Sequence, residues 1–533
     1  MNDHPNIITM PDTSPSADHK GVGYVYYHSM LKYQHRVAQI DALTNKQENY
    51  CSLLNRSTRA AITMQNKGIG PGDFVSICSR NTFDACVPCI AALFIGAIMA
   101  PVDPAFSVTE TVYLLKQLSP KMIFVAAQSV RLIEEVVKVL ETGTTIVTFG
   151  ETVAHTPFDD FLQPYSNEME FSPRQPESIH EMALLLFTSG TTGRPKGICH
   201  SHSSILSNPM FPETRDCLTI ATFCSVYWVI YHRLLHNSIV NGFKMIIFED
   251  FDCNDPWKVL EFRVDYALII PFEGMSFVKH PKPEHADVTN LKVLALSGNT
   301  MSKEQLLLLK AQLPKTFVAK SYGQSEVFTR ILGFPQTAKG FHLVEKYPNS
   351  VGIPSGGFSY KIVDVETEEI LAANSVGELM LKSKNQTNGY YKCDSSEMFD
   401  ADGWLKTGDL AYYNEEHCFF ITGRIKESFK YIDYHVIPVE IENVLAGHPA
   451  VQNVVVLGLP HHTDENHPIA VVEVCQKVTT DELVKYVEER VEDRKRLRGG
   501  VKIVQKIPLT VSGKFSRYKL REMLIHQRMQ SME

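Results

Sequence analysis

The residues Thr188-Ser189-Gly190-Thr191-Thr192-Gly193-Arg194-Pro195-Lys196-Gly197 follow directly on an apolar run, MALLLF, at 182–187. Glycines let backbone N–H groups turn toward an anion, the hydroxyls of Thr188, Ser189, Thr191 and Thr192 add donors, and Lys196 supplies a compact positive charge. The chemistry such a set supports is phosphate binding. The spacing is not G-x-x-x-x-G-K-[ST], because Pro195 stands five residues after Gly190, so a nucleotide here needs a loop of another kind.

Four further groups lie downstream. Tyr322-Gly323-Gln324-Ser325-Glu326 combines a flat aromatic face, suited to a nucleobase, with a carboxylate, suited to a hard cation. Trp404-Leu405-Lys406-Thr407-Gly408-Asp409 ends on a carboxylate that can accept from two adjacent hydroxyls. Gly423-Arg424-Ile425-Lys426-Glu427-Ser428-Phe429-Lys430 is basic, and Pro508-Leu509-Thr510-Val511-Ser512-Gly513-Lys514 sets a lysine on a glycine turn.

In this order and spacing, over residues 182 to 514, the groups resemble the motifs of the adenylate-forming superfamily: acyl-CoA synthetases, coumarate:CoA ligases, peptide-synthetase adenylation domains and beetle luciferases. Within it the chain looks most like the insect luciferase-like acyl-CoA synthetases, through DADGWLKTGDLAYYNEEHCFFITGRIKESFKYIDYHVIPVEIENVL. The resemblance implies ATP bound by Ser189, Gly190, Thr191, Thr192, Gly193 and Lys196, with adenine on Tyr322 and Gly323 and the α-phosphate at Ser325. It implies Mg2+ at Glu326, and the ribose hydroxyls at Asp409 and Arg424. Lys426 would be the pivot between a large and a small domain. Lys514 would act in adenylation, with Thr191 and Lys196, and Lys430 in the second half-reaction, after the small domain has turned.

The expected activity is that of an ATP- and Mg2+-dependent carboxylic acid:CoA ligase, a medium- or long-chain fatty acyl-CoA synthetase working through an acyl-adenylate. Two other readings share its residues: a luciferase-type monooxygenase acting on an adenylated luciferin, and a catalytically silent nucleotide- or lipid-binding relative. The acid pocket is expected at Tyr227, Trp228 and Gly298; Trp228 stands where luciferases and coumarate:CoA ligases carry histidine, and an aromatic lining suits an alkyl chain. Two departures bear on the second step. Ser297-Gly298-Asn299-Thr300 is one residue shorter than the family's pocket loop, and Asp433 stands where the family usually has glycine, beside the path of the coenzyme A thiol.

The elements that must position these groups are legible in the hydropathy pattern. From about residue 50 to 380, short apolar runs (FVSIC, MIFVAA, TIVTF, KMIIF, YALII) alternate with helical-period stretches, predicting parallel sheets covered on both faces. From about 351 short strands separated by turns predict a small antiparallel barrel or sheet. After Thr422 the helix IPVEIENVLAGHPAV, with Ile441, Val444 and Leu445 on one face, and the strand VQNVVVLGL predict a separate α+β unit. The expected division is 1–422, a large α/β domain of two parallel-sheet subdomains and a small β-barrel, and 423–533, a mobile α+β domain.

Composition removes other classes. The chain has 533 residues, with 52 basic against 60 acidic side chains and a formal charge of −8, which offers nucleic acid no positive field. Its 44% hydrophobic content predicts a packed fold. Eleven scattered cysteines fit a reducing compartment, with Cys86 and Cys89 as core residues rather than half a zinc site. The run from Ala85 to Val102 reads as a buried helix followed by a strand, because Pro88 and Pro101 interrupt it, so no transmembrane segment is expected. The start shows no secretory pattern and the end, QSME, no S-K-L tripeptide, so the expected location is cytoplasmic, with a peroxisomal one lacking its usual address. His461, His462, Asp464 and His467 read as a solvated loop, and Arg494-Lys495-Arg496-Leu497-Arg498 as a solvated basic face.

Overall fold

The computed structural model describes residues 4–12, 19–150, 154–188, 195–207, 218–284, 286–298, 301–384, 386–432, 434–510 and 514–530, with side chains of the last helix described as far as Ile525. Two seven-stranded sheets form the large part of the molecule. The first runs Gly197–Ser201, Met182–Phe187, Ile98–Val102, Phe74–Cys78, Met122–Ala126, Thr145–Phe149, Thr156–Pro157, and is parallel except where Gly197–Ser201 returns antiparallel to Met182–Phe187. The second runs Phe317–Lys320, Val293–Leu296, Tyr266–Ile269, Thr219–Thr222, Lys244–Ile247, Val37–Asp41, Gln47–Asn49, parallel but for its last pair. Each apolar run picked out above is one of these strands, and both faces of the sheets are covered, which is why the runs are continuous rather than alternating. The helix Cys86–Ile95 is buried all round, Cys86 and Cys89 included, and leads into the core strand Ile98–Val102.

Crossovers of this kind leave ligand-bearing segments at the carboxyl ends of parallel strands. Thr188 follows Met182–Phe187, Ser297-Gly298 follow Val293–Leu296, and Ser321-Tyr322 follow Phe317–Lys320. The antiparallel element after residue 350 is a five-stranded sheet, in the order Ile8–Thr9, Ser359–Val363, Gly377–Lys382, Leu405–Tyr413, Phe419–Arg424. Its register sets Asp409 directly opposite Arg424.

The last part of the chain is an α+β unit. Val451–His461, Glu465–Val474 and Val501–Val504 form a sheet whose two faces are both apolar. Val454, Val456, Ala470 and Val472 pack on Ile441 and Leu445 of the helix Pro438–Ala446. Val455, Leu457 and Val471 pack on Ile507, Leu520 and Leu524 from the other side. The period-two alternation thus places successive valines of VVVL in two different cores. A short hairpin, Phe429–Tyr431 with Tyr434–Val436, carries Lys430 and lies on this unit. It is seated by Gly458, where any Cβ would come within 2.5 Å of the Phe429 ring.

The substitution Gly458→Ala therefore has to displace Phe429 and the hairpin with it. The expected loss is about 1–3 kcal/mol of small-domain stability, as for other overpacked sites, measured by urea denaturation. Unchanged stability would show that the hairpin does not depend on this contact.

Candidate active site

A cleft of about 1230 Å³ lies between the large sheets, the antiparallel sheet and the C-terminal unit. Tyr227, Trp228, Gly298, Tyr322, Gly323, Asp409, Arg424 and Lys514, predicted from sequence, all line it.

Its polar centre is Asp409, only 3% exposed. A buried carboxylate is stable only when its lone pairs are met. Tyr322 OH donates to Oδ2 at 2.6 Å, Gln324 Nε2 donates to the same oxygen at 2.8 Å, and Arg424 Nε pairs with Oδ1 at 2.9 Å. Gln324 also donates to the Thr407 carbonyl, tying the Tyr322–Glu326 segment to the strand that bears Asp409. That strand is kinked at Gly408, whose φ of +69° favours glycine, while its N–H is taken by Glu378 at 2.9 Å.

At the phosphate-loop end, Thr188 N–H donates to the Lys196 carbonyl at 2.9 Å and Lys196 N–H donates to Thr188 Oγ1 at 3.0 Å. These bonds close the base of the hairpin. Ser189, Gly190, Thr191, Thr192 and Gly193, to which phosphate contacts are assigned from sequence, lie outside the described residues. Lys196 Nζ sits 4.7 Å from the centre of the Tyr390 ring, and Tyr390 OH donates to Glu326 Oε1 at 3.3 Å, so one aromatic ring joins the loop lysine to the candidate metal carboxylate. Burial raises the Glu326 carboxyl above its ordinary pKa, opposed by Arg424 and by the bond from Tyr390.

Lys514 comes from the far end of the chain. Lys514 is tied back to Thr510: Thr510 N–H donates to the Lys514 carbonyl at 2.6 Å, and Lys514 N–H donates to Thr510 Oγ1 at 3.2 Å. Burial, then the nearby Arg424, pulls the ammonium below the usual lysine pKa, while Asp409, Glu427 and Glu326 pull it back. The same carboxylates surround Arg424; burial works against its charge, and Asp409, Tyr322, Glu427 and Glu326 outweigh it and hold the guanidinium above its ordinary value.

A residue that sequence reasoning missed ties the segment entering the C-terminal unit to the body of that unit. Arg517 Nε pairs with Glu427 Oε2 at 3.1 Å and its NH2 with Glu442 Oε1 at 2.7 Å, while NH1 donates to the Val456 carbonyl at 2.7 Å. Glu427 follows the predicted pivot Lys426 within the short helical turn Ile425–Glu427. Arg517 thus fastens the pivot to the unit that brings Lys514. Gln324 and Tyr390 were missed as well. The only available signal was proximity to a motif: Gln324 is the variable residue within one, and Arg517 stands three residues after Lys514.

Lys426 and Lys430 are exposed, and Lys430 does not line the cleft. Ser325 lies beside Glu326 in a half-buried position. On the acid side, Trp228 caps the helix Val229–Asn241, and its ring meets Tyr227 edge-on at 5.2 Å, as Tyr227 meets Phe106 at 5.4 Å. Gly298, at φ +94°, turns the backbone at the pocket wall. Asn299, Thr300 and Asp433 lie outside the described residues. The 494–498 segment is not a bare basic face: Lys495 pairs with Glu440 and Glu492, and Arg496 and Arg498 pair with Asp493.

Comparison with known proteins is consistent across sequence and structure. Residues 27–391 match the family described as AMP-binding enzyme, and residues 440–514 match the AMP-binding enzyme C-terminal domain. The chain is 29% identical over 514 residues to luciferin 4-monooxygenase of Photinus pyralis, covering 92% of this chain and 91% of that protein. It is 27% identical over 516 residues to 4-coumarate–CoA ligase-like 8 of Arabidopsis thaliana, covering 92% of this chain and 90% of that protein. Among solved structures, the luciferase-like enzyme of the nonluminescent mealworm Zophobas morio is 34% identical and superimposes with a TM-score of 0.75, over 79% of this chain and all of that one. The ATP-bound MatB of Rhodopseudomonas palustris, 20% identical, shares the fold with a TM-score of 0.83 over 94% of this chain and 98% of that one.

Asp409→Asn removes the charge that Arg424 answers while keeping the side chain's size. With Asp409 accepting from the ribose, a hydrogen bond to a charged group is worth about 1.5–3 kcal/mol, so ATP affinity should fall at least about tenfold, read by calorimetric titration on variant protein shown by circular dichroism to be folded. Unaltered affinity would remove Asp409 from the nucleotide site.

Proposed function

The chain belongs to the AMP-binding enzyme family, and from that premise we propose that it is an ATP- and Mg2+-dependent acid:CoA ligase whose acid is a medium- or long-chain fatty acid. The observation that carries the reading is the convergence of Lys514 with Asp409, Arg424 and Tyr322 in one cleft, across more than a hundred residues of sequence.

A carboxylate acylates poorly because oxide is its leaving group. Attack of the carboxylate oxygen on the α-phosphorus of ATP forms an acid–phosphate bond, breaks the bond to the β-phosphate and releases pyrophosphate. Two negatively charged groups must meet for this to happen. Lys514 answers the charge that builds between them, a fixed ammonium where the transition state is most anionic. Asp409 and Arg424 hold the ribose, Tyr322 and Gly323 flank the base, and Lys196 meets the outer phosphates.

Glu326 fits a hard cation, being a carboxylate enclosed beside the lysine-bearing loop, and Mg2+ held there would screen the phosphates. The thiol of coenzyme A then attacks the acyl carbon and AMP leaves. Lys430 belongs to that second step: it is exposed in the arrangement that places Lys514 in the cleft, and a turn about Lys426 would exchange the two. Relatives named as coumarate–CoA ligases support thioester formation. The apolar walls, Phe106, Trp228, Pro271, Phe272, Met275 and Leu296, support an alkyl substrate. The luciferin 4-monooxygenase relatives favour a second reading, oxidation of an adenylated luciferin in the same cleft.

Supplied with ATP, Mg2+, coenzyme A and acids of graded chain length, the enzyme should release AMP and form thioester best with medium or long alkyl chains. Trp228→Ala should shift the preference toward longer or bulkier acids. Light with a luciferin and ATP, without thioester from any acid, would replace the ligase reading by the monooxygenase one.

A further inference from the structure

The histidine-rich segment read from sequence as a solvated loop is built differently. The strands Val451–His461 and Glu465–Val474 run almost to the tip of one hairpin, so that His461 ends one strand, His467 lies within the other, and only residues 462–464 form the turn. The register pairs His461 with Glu465 and Leu459 with His467, which sets the two histidines diagonally on one face. Their rings lie 3.8 Å apart and 15° from parallel. Asp464 turns back between them: its Oδ2 is 2.7 Å from His467 Nε2 and 3.5 Å from His461 Nδ1. The side chains of His461, Asp464 and His467 are 19%, 27% and 20% exposed, so the group is largely covered rather than solvated.

The donor chemistry calls for a cation. His461 Nδ1 accepts from the Asp464 N–H at 3.3 Å and lies 3.2 Å from Thr463 Oγ1, which sets its lone pair on the Asp464 side of the ring, where a bound ion would take the place of these long hydrogen bonds. That lone pair and the Asp464 carboxylate are two acceptors turned toward one region. The other carboxylate oxygen is held by Thr463 Oγ1 at 3.0 Å. One ligand atom from each of the three residues lies within 4.8 Å of the others. Around a tetrahedral ion with bonds of about 2.0–2.1 Å, ligand atoms sit roughly 3.3 Å apart, so closure needs only a splaying of the two rings at the hairpin tip. Two imidazoles and one carboxylate select a borderline transition metal over Mg2+ or Ca2+, which prefer oxygen alone.

We infer that His461, Asp464 and His467 form a binding site for a divalent transition-metal ion of the zinc class, with a coordination position left for water. The site is separate from the cleft, since none of the three residues lines it. It is nevertheless joined to the hairpin that carries Lys430. Ile432 N–H donates to the Asp464 carbonyl at 3.3 Å, Asn466 Nδ2 donates to the Lys430 carbonyl at 3.0 Å, and the His467 ring lies 6.0 Å from Tyr431. An ion there fastens the tip of the long hairpin beside the segment used in the second half-reaction.

The test is Zn2+ uptake by the full chain after removal of metal, by equilibrium dialysis with elemental analysis, comparing wild type with Asp464→Asn and His467→Gln. Visible absorption of the Co2+-loaded protein reports the imidazole ligands directly. The expected result is one equivalent bound at micromolar Zn2+ and not displaced by excess Mg2+, with affinity at least about tenfold weaker in each variant. ATP binding and the thermal midpoint of the metal-free variants should match wild type, which separates loss of the site from loss of the fold. Absence of stoichiometric uptake by wild type, or equal uptake by all three proteins, would overturn the assignment; if only one variant folds, the comparison with that variant decides.

Discussion

A carboxylate with 3% exposure has to find its partners inside the protein, and Asp409 finds them on two other elements. Tyr322 and Gln324 come from the segment after a strand of the second parallel sheet, and Arg424 comes from the neighbouring antiparallel strand just before the pivot. Satisfying one buried anion therefore joins a large sheet, the antiparallel sheet and the entry to the C-terminal unit. The Tyr322 phenol is pushed well above its ordinary pKa, by burial and then by Asp409, so it remains a donor. The surface proposed to face the nucleotide is thus fixed by a network whose members cannot move independently.

A second constraint acts on the C-terminal unit. Arg517 is held by Glu427 on the pivot side and by Glu442 and the Val456 carbonyl within the unit. The Arg517 and Glu427 side chains are 23% and 27% exposed, so their pairing ties the segment to the unit at the surface of the cleft rather than as a fully buried ion pair. Lys514 itself is held as a cation in a setting that disfavours it, and the nearby carboxylates offset the burial. The triphosphate proposed to enter here would add negative charge where that ammonium is most poorly solvated.

Much of this was legible in the sequence, and the limits have physical causes. Strand runs such as FVSIC and MALLLF are apolar throughout because their sheets are covered on both faces, so they announce themselves without a partner. Asp409, Arg424 and Lys514 sit in motifs whose spacing is set by local turns, and local turns are written in local sequence. Arg517 and Tyr390 act across 90 and 64 residues, to Glu427 and Glu326, and no short pattern encodes such a pairing. Gln324 was unreadable for another reason: the motif it sits in leaves that position unspecified, and only the fold shows that this side chain reaches Asp409. The histidine cluster was misread because polar residues between two strands suggest a loop, whereas the hairpin here continues into them and turns on three residues.

The central claim is that the C-terminal lysine Lys514 serves adenylation while Lys430 waits for the second step. Acid-dependent exchange of pyrophosphate into ATP, compared between Lys514→Ala and Lys430→Ala, tests it most directly. The account predicts that exchange is abolished in Lys514→Ala with ATP binding kept, and persists in Lys430→Ala with thioester formation impaired. Exchange surviving in Lys514→Ala, or lost equally in Lys430→Ala, would contradict it.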